Sequence, residues 1–217
     1  MKKKIIIIIV AIILAIVLIW GLYKINIIPH KSYSNKDFNI TTYISQVDKD
    51  EDGIDDQTDI LENVKKYIAT KPKYKSAYYG TGYPDDGYGV CTDVVAFGLK
   101  DAGYDLMELV NEDIVNNNEK YNIEKVDKNI DFRRVRNLNV YFKNNSISLT
   151  TDLSKIEEWQ GGDIVVFNEH IGIVSNKRNK KGIPFLIHHA NPFQTSYEED
   201  ILELYGNENV IGHFRIS

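Results

Sequence analysis

Nineteen consecutive residues, from Ile5 to Tyr23, carry no charge and are built mostly of isoleucine, valine and leucine. Coiled as a helix at about 1.5 Å per residue they extend roughly 28 Å, the hydrocarbon thickness of a bilayer. Three lysines precede the run in a short cytoplasmic stub, residues 1–4, and Trp20 and Tyr23 mark its far interface. A cleaved signal peptide shows the same basic-then-apolar order. This run is longer than a usual signal core, however, and no small-x-small cleavage site follows it in residues 21–26. Residues 5–23 are therefore expected to be an uncleaved, single-pass transmembrane anchor in the cell membrane, with the lysines inside and the chain after Lys24 extracellular.

Beyond the anchor lie about 190 residues, enough for one domain with a sizeable core. Taking away Lys2, Lys3, Lys4 and Lys24 changes the formal charge from −5 to −9. That balance argues against nucleic acid as a partner and suits a surface that tolerates divalent cations. Cys91 is the only cysteine, so an internal disulfide is excluded. A lone thiol in an exported chain is either a small buried hydrophobe or a free reactive group.

Residues 24–47 are largely polar and unpatterned and read as a tether. Residues 48–59 form an acidic loop, and residues 60–217 the main domain. A helix is expected from Asp59 to about Ala69, because Ile60, Leu61, Val64 and Ile68 share one face. The turn-rich segment 78–87 reads as a loop. A second helix starts at Cys91 and ends near Gly103, and a third runs from Leu106 through Ile114. Afterwards the pattern changes to short β-rich runs: 140–142, 163–167, 170–175 and 184–188. The basic stretch 176–182 reads as the long, solvated turn of a hairpin. Helices first and antiparallel strands later indicate an α+β domain.

Cys91 sits where a helix begins, and unpaired N–H groups there favour the thiolate, the nucleophilic form. A free thiol is only slightly ionised at neutral pH and needs a base. His170, opening a strand, is the candidate. A third group must orient its imidazole. His188 on the next strand is the choice, with His189 the alternative, since neighbouring strand residues point to opposite faces. The Cys91 backbone N–H would contribute to an oxyanion hole.

Four ordered strings then resemble a known family: Gly89-Val90-Cys91-Thr92-Asp93-Val94, residues 129–138, Trp159-Gln160-Gly161-Gly162-Asp163-Ile164-Val165, and His170-Ile171-Gly172-Ile173-Val174-Ser175. Together they look like the DUF1287 family over roughly residues 57–217. That family is similar to the NlpC/P60 superfamily of papain-like cell-wall hydrolases. The resemblance implies a papain-like fold, a nucleophilic Cys91, a base at His170 and a third member at His188. The family usually has asparagine where this chain has His189. From the wider superfamily it implies peptidoglycan as partner and an amide bond of the stem peptide, or the one joining stem to sugar, as target.

Tyr79, with Tyr78, is expected to line a substrate groove, and Arg133 and Arg134 to bind a stem-peptide carboxylate in bidentate fashion. An internal ion pair fixing a loop, which would include Asp131, is the alternative for the arginines. Asp163 reads as a turn residue.

A separate motif lies upstream. Asp48, Asp50, Asp52, Asp56 and Asp59 fall at positions 1, 3, 5, 9 and 12 of a calcium-type loop, with Gly53 at position 6. Ile54 at position 7 would give its carbonyl. Asp59 replaces the usual glutamate, and no helix is expected before Asp48. A structural Ca2+ is expected here, with no cofactor for catalysis; the alternative is an acidic linker. The whole reading is a membrane-anchored cysteine peptidase or amidase. A catalytically silent, calcium-dependent wall-binding module is the other reading.

Overall fold

The apolar run forms one helix, α1 (Lys2–Lys24), long and apolar enough to cross a membrane, although a signal sequence meets the same test. The computed structural model describes residues 2–24, 26–206 and 209–216, and the chain divides into two compact units, Met1–Lys31 and Ser32–Ser217.

The second unit begins with a 3-10 turn, Asn35–Phe38. Helix α2 (Asp56–Ala69) follows, then β1 (Lys73–Tyr74), β2 (Tyr88–Gly89), α3 (Cys91–Lys100) and α4 (Leu106–Asn116). The short turns α5 (Asn118–Tyr121) and α6 (Lys128–Asp131) lead to α7 (Val135–Asn145). The remaining elements are β3 (Ile147–Ser148), β4 (Ile164–Phe167), β5 (Ile171–Arg178), β6 (Pro184–Ile187), β7 (Glu198–Glu199), α8 (Leu202–Tyr205) and β8 (Val210–Arg215). Strands β1 and β2 form a small parallel pair, and the others an antiparallel sheet in the order β3-β8-β4-β5-β6-β7. The α+β expectation describes this helix-plus-antiparallel-sheet architecture.

Alternation along β4 shows why its apolar run is continuous. Ile164 and Val166 join the core shared with α2, α3, α4 and α7, while Val165 and Phe167 join a second cluster with Trp159, Leu186 and Leu202. Both faces of the sheet are covered, so successive residues are all apolar. Beside this strand Gly162 turns the chain with φ +96°, and a side chain there would lie 2.5 Å from the Gln57 carbonyl. Only glycine suits both constraints.

Several expectations are corrected. The run 140–142 is helical: Leu138 and Phe142, four apart, are fully buried on one side of α7. That period-3.6 partnership overrides the β preference of Val-Tyr-Phe. Helix α2 starts three residues before Asp59, because Asp55 caps it by accepting from the Thr58 N–H. Residues 32–47 are not a tether but part of the second unit. Tyr33 exchanges two backbone hydrogen bonds of 2.8 Å with Arg178, and Asn35 is buried beside it. The basic stretch 176–182 is likewise not a solvated turn throughout, since β5 runs to Arg178 and that side chain is 1% exposed. Its guanidinium donates to Asn35 Oδ1 and to the carbonyls of Ile156, Trp159 and Gly182. A buried cation requires such a cage of acceptors.

Candidate active site

Helix α3 opens at Cys91 after the extended residue Val90, and Asp93 folds back to accept the Val90 N–H at 2.8 Å. Glycine precedes Val90 because a side chain at 89 would meet the Tyr67 hydroxyl 2.5 Å away. These contacts hold the strand-to-helix turn that presents the thiol. Cys91 is half-buried against the main core, and the Ile171 backbone amide at the head of β5 reaches its sulfur. The residue before Ile171 is His170.

His170 leads into a chain of hydrogen bonds. Its Nε2 lies 2.8 Å from His188 Nδ1, and His188 Nε2 lies 2.9 Å from Glu199 Oε2. The pairing of β6 with β7 places Glu199 opposite Leu186, two residues before His188 and on the same face, so Glu199 reaches His188 on the diagonal. Gln194 Nε2 donates to the same Glu199 oxygen at 3.1 Å. A carboxylate only accepts, so His188 Nε2 carries a proton. With that single proton on Nε2, His188 accepts at Nδ1, so His170 donates from Nε2 and keeps a lone pair on Nδ1. This is the tautomer a general base needs, set from two residues away.

Strand alternation separates the two adjacent histidines. His188 faces His170, whereas His189 is clamped edge-on by Tyr74 and Tyr197 at 5.3 and 4.9 Å between ring centroids. His170 and His188 are thus joined by a hydrogen bond, His189 lies outside that series, and the sulfur of Cys91 meets the amide of Ile171, the residue after His170. Glu199 and Gln194 escaped the sequence reading. The acidic triplet Glu198-Glu199-Asp200 was the one available signal, and its partner is fixed only by strand pairing.

Electrostatics modify the expected thiolate. Burial pushes the Cys91 thiol up to about 11, and Asp93 in the same helical turn adds to the rise. The backbone amides of Ile171, Thr92 and Cys91 oppose that rise without overcoming it. Burial likewise brings His170 down to about 3, helped by His188 and His189. At rest the pair is a neutral thiol beside a neutral imidazole, not the ionised nucleophile expected from the helix N-terminus alone. Desolvation outweighs the helix terminus.

Arg133 is not at a solvent-facing anion site. Its Nε and Nη2 donate to the two Asp93 oxygens at 2.6 and 2.9 Å, and its Nη1 to the Ala77 carbonyl at 2.7 Å. Both side chains of the pair are essentially inaccessible, so the proposed carboxylate contact gives way to an internal clamp on α3. Arg134 is half exposed and 3.6 Å from Asp131, and Tyr79 stacks its ring 5.0 Å from Arg133 while donating to Asp86. Asp163 is structural, accepting from Gln57, Gln160, His213 and Arg215.

In the acidic loop Asp48, Asp50 and Asp52 converge, whereas Asp56 turns away. Asp56 accepts the Lys49 N–H and the Tyr104 hydroxyl, so it is corrected out of the expected ligand set. Asp59 is buried on α2.

Comparison with known proteins adds a family. The model for "Domain of unknown function (DUF1287)" matches residues 61–216, which include Cys91, His170, His188 and Glu199 but not the acidic loop. The chain is 32% identical over 169 residues to "Uncharacterized protein YijF" of Escherichia coli (strain K12), covering 72% of this chain and 80% of that protein. No solved structure matches. With its thiol, both histidines and the sheet that carries them inside the matched span, this chain belongs to the DUF1287 family.

Proposed function

We propose that the second unit is a cysteine hydrolase of the papain-like, NlpC/P60 type that cleaves an amide bond in peptidoglycan. The apolar helix holds it at the outer face of the cell membrane. The observation that carries this reading is the hydrogen-bonded series His170–His188–Glu199, which leaves a lone pair on His170 Nδ1 beside the strand head that contacts Cys91. His170 takes the thiol proton as sulfur attacks the carbonyl carbon, so ionisation coincides with attack. The negative oxygen is met by the backbone N–H groups of Cys91 and Thr92, which at the start of the helix have no intrahelical carbonyl and face the sulfur. His170 then gives its proton to the leaving amine, the C–N bond breaks, and water hydrolyses the thioester with His170 again as base. Glu199 offsets the imidazolium charge through His188.

Purified peptidoglycan incubated with the full-length protein in detergent, followed by mass analysis of the fragments, tests the reading. Release of peptide or amino-sugar termini by wild type and not by Cys91→Ala is expected. Intact peptidoglycan, or equal digestion by the variant, would refute it. Retention of the protein on the wall without digestion would favour the silent wall-binding module.

A further inference from the structure

The acidic loop ahead of α2 takes no part in the thiol chemistry, yet it is built. Asp48, Asp50 and Asp52 each bring a carboxylate oxygen to within 4.8 Å of the others. The Gly53 N–H donates to Asp48 and the Ile54 N–H to Asp52, and Gly53 adopts φ +93°. The loop packs on the end of α3: a side chain at Gly103 would lie 2.9 Å from Lys49 Cγ. These contacts shape the loop without identifying a ligand.

Asp59 points to one. It is 3% exposed, one turn into α2. Its Oδ1 accepts from Asn63 at 2.9 Å, but Oδ2 has no hydrogen-bond partner among the described residues. Buried carboxylates are paired, hydrogen-bonded or metal-bound, and this oxygen lacks a protein donor. Asp59 lies in the first turn of α2, into which the loop leads directly, and the negative charges of Asp50 and Asp52 each bear on it more strongly than the Lys66 ammonium. We propose that Asp48, Asp50, Asp52 and Asp59, with the Ile54 carbonyl, form a structural calcium site that supplies the partner Asp59 Oδ2 lacks. All the ligands are hard oxygens, four carboxylates and a carbonyl, a set that suits the variable coordination of calcium better than the strict octahedron of magnesium. Asp59 closes the set as the twelfth loop position does in related loops. The bound ion braces the start of α2, whose Val64 packs against Gly98 of α3.

The test uses the full-length protein in detergent micelles, stripped with chelator and titrated with calcium chloride, with magnesium chloride as the comparison. One ion per chain is expected at a dissociation constant of about 10⁻⁴–10⁻³ M, the range of extracellular modules. At 10 mM calcium the melting temperature should rise by roughly 3–10 °C. Asp59→Asn and the double variant Asp50→Asn, Asp52→Asn should lose both signals. Asp59→Asn is nearly isosteric and removes the unpartnered charge, so without calcium it should melt above wild type. Absence of heat and thermal shift at 10 mM calcium would overturn the site, as would an equal response to magnesium. Retained calcium binding in Asp59→Asn, or a lower melting point of that variant without calcium, would do the same. None of these results bears on Cys91, so the hydrolase reading stands or falls separately.

Discussion

Two histidine–carboxylate pairs lie in the same sheet and do different work. His213 Nε2 is 3.0 Å from Asp163 Oδ2, and its Nδ1 is 2.7 Å from the Thr150 carbonyl, with Trp159 stacked 3.8 Å away. The carboxylate is filled by Arg215, Gln57 and the Gln160 N–H. Both ring nitrogens of His213 are taken up by protein acceptors there. His188 and Glu199 make an equally short contact, but His188 passes the sequence on to His170, whose second nitrogen is left for chemistry. An imidazole paired with a carboxylate is closed off in one place and continues to a second imidazole in the other. What differs is whether the series closes.

Removing the carboxylate should therefore separate the two. Asp163→Ala leaves Arg215 and His213 buried without their anion, and a loss of about 3–5 kcal/mol in a denaturant titration is expected. Glu199→Gln should lose no more than about 1.5 kcal/mol, the net worth of one hydrogen bond. A reversed ranking would break the comparison.

Next in size, His170→Ala should reduce turnover by about 10²–10⁴-fold with little change in melting temperature, approaching the effect of Cys91→Ala. Glu199→Gln should fall at the low end of that range, because glutamine no longer dictates which His188 nitrogen carries the proton. The drop should appear in kcat more than in KM, and Glu199→Asp should restore part of it. A Glu199→Gln variant with unchanged kcat would make the carboxylate a structural neighbour only.

Two smaller effects depend on pH. Because Cys91 is pushed up to about 11, its alkylation by iodoacetamide should be slow at pH 7 and climb steadily to pH 10. Fast, pH-independent labelling from pH 5 upward would reveal a standing thiolate–imidazolium pair. His170 titrates near 3 when folded and 6.5 when unfolded, so the unfolded chain takes up its proton first as pH falls. That contribution to stability is complete above about 6.5 and is lost progressively toward 3. His170→Asn should flatten the acid limb of a stability-against-pH curve. An unchanged limb would assign the loss to other groups.

Local patterns carried much of this to the surface of the sequence. The helix start at Cys91 and the strands around residues 164–167 and 171–175 announce themselves through apolar periodicity and turn residues. His170 and His188 follow from their places at strand ends. Glu199 does not, because its meeting with His188 depends on the pairing of β6 and β7 across the intervening loop. Strand β8 escaped for a similar reason: Val-Ile-Gly-His-Phe-Arg mixes polar and apolar residues, and its place between β3 and β4 is a long-range choice. The Asp93–Arg133 clamp spans forty positions, so charge alone left the arginine's destination open. Residues 32–47 looked like a tether because they are polar, whereas Asn35 is buried to satisfy a distant cation.

That cation also decides where mechanical load enters the fold. Any tension arriving through residues before Ser32 first meets Tyr33, whose two backbone bonds join it to Arg178 at the trailing end of β5. Arg178 spreads the pull over Asn35, Ile156, Trp159 and Gly182. His170 precedes the leading end of the same strand, about 25 Å away at the usual rise. A pull on the chain before Ser32 is thus absorbed at the far end of the strand that His170 leads into, away from His170 and the Ile171 amide that meets Cys91.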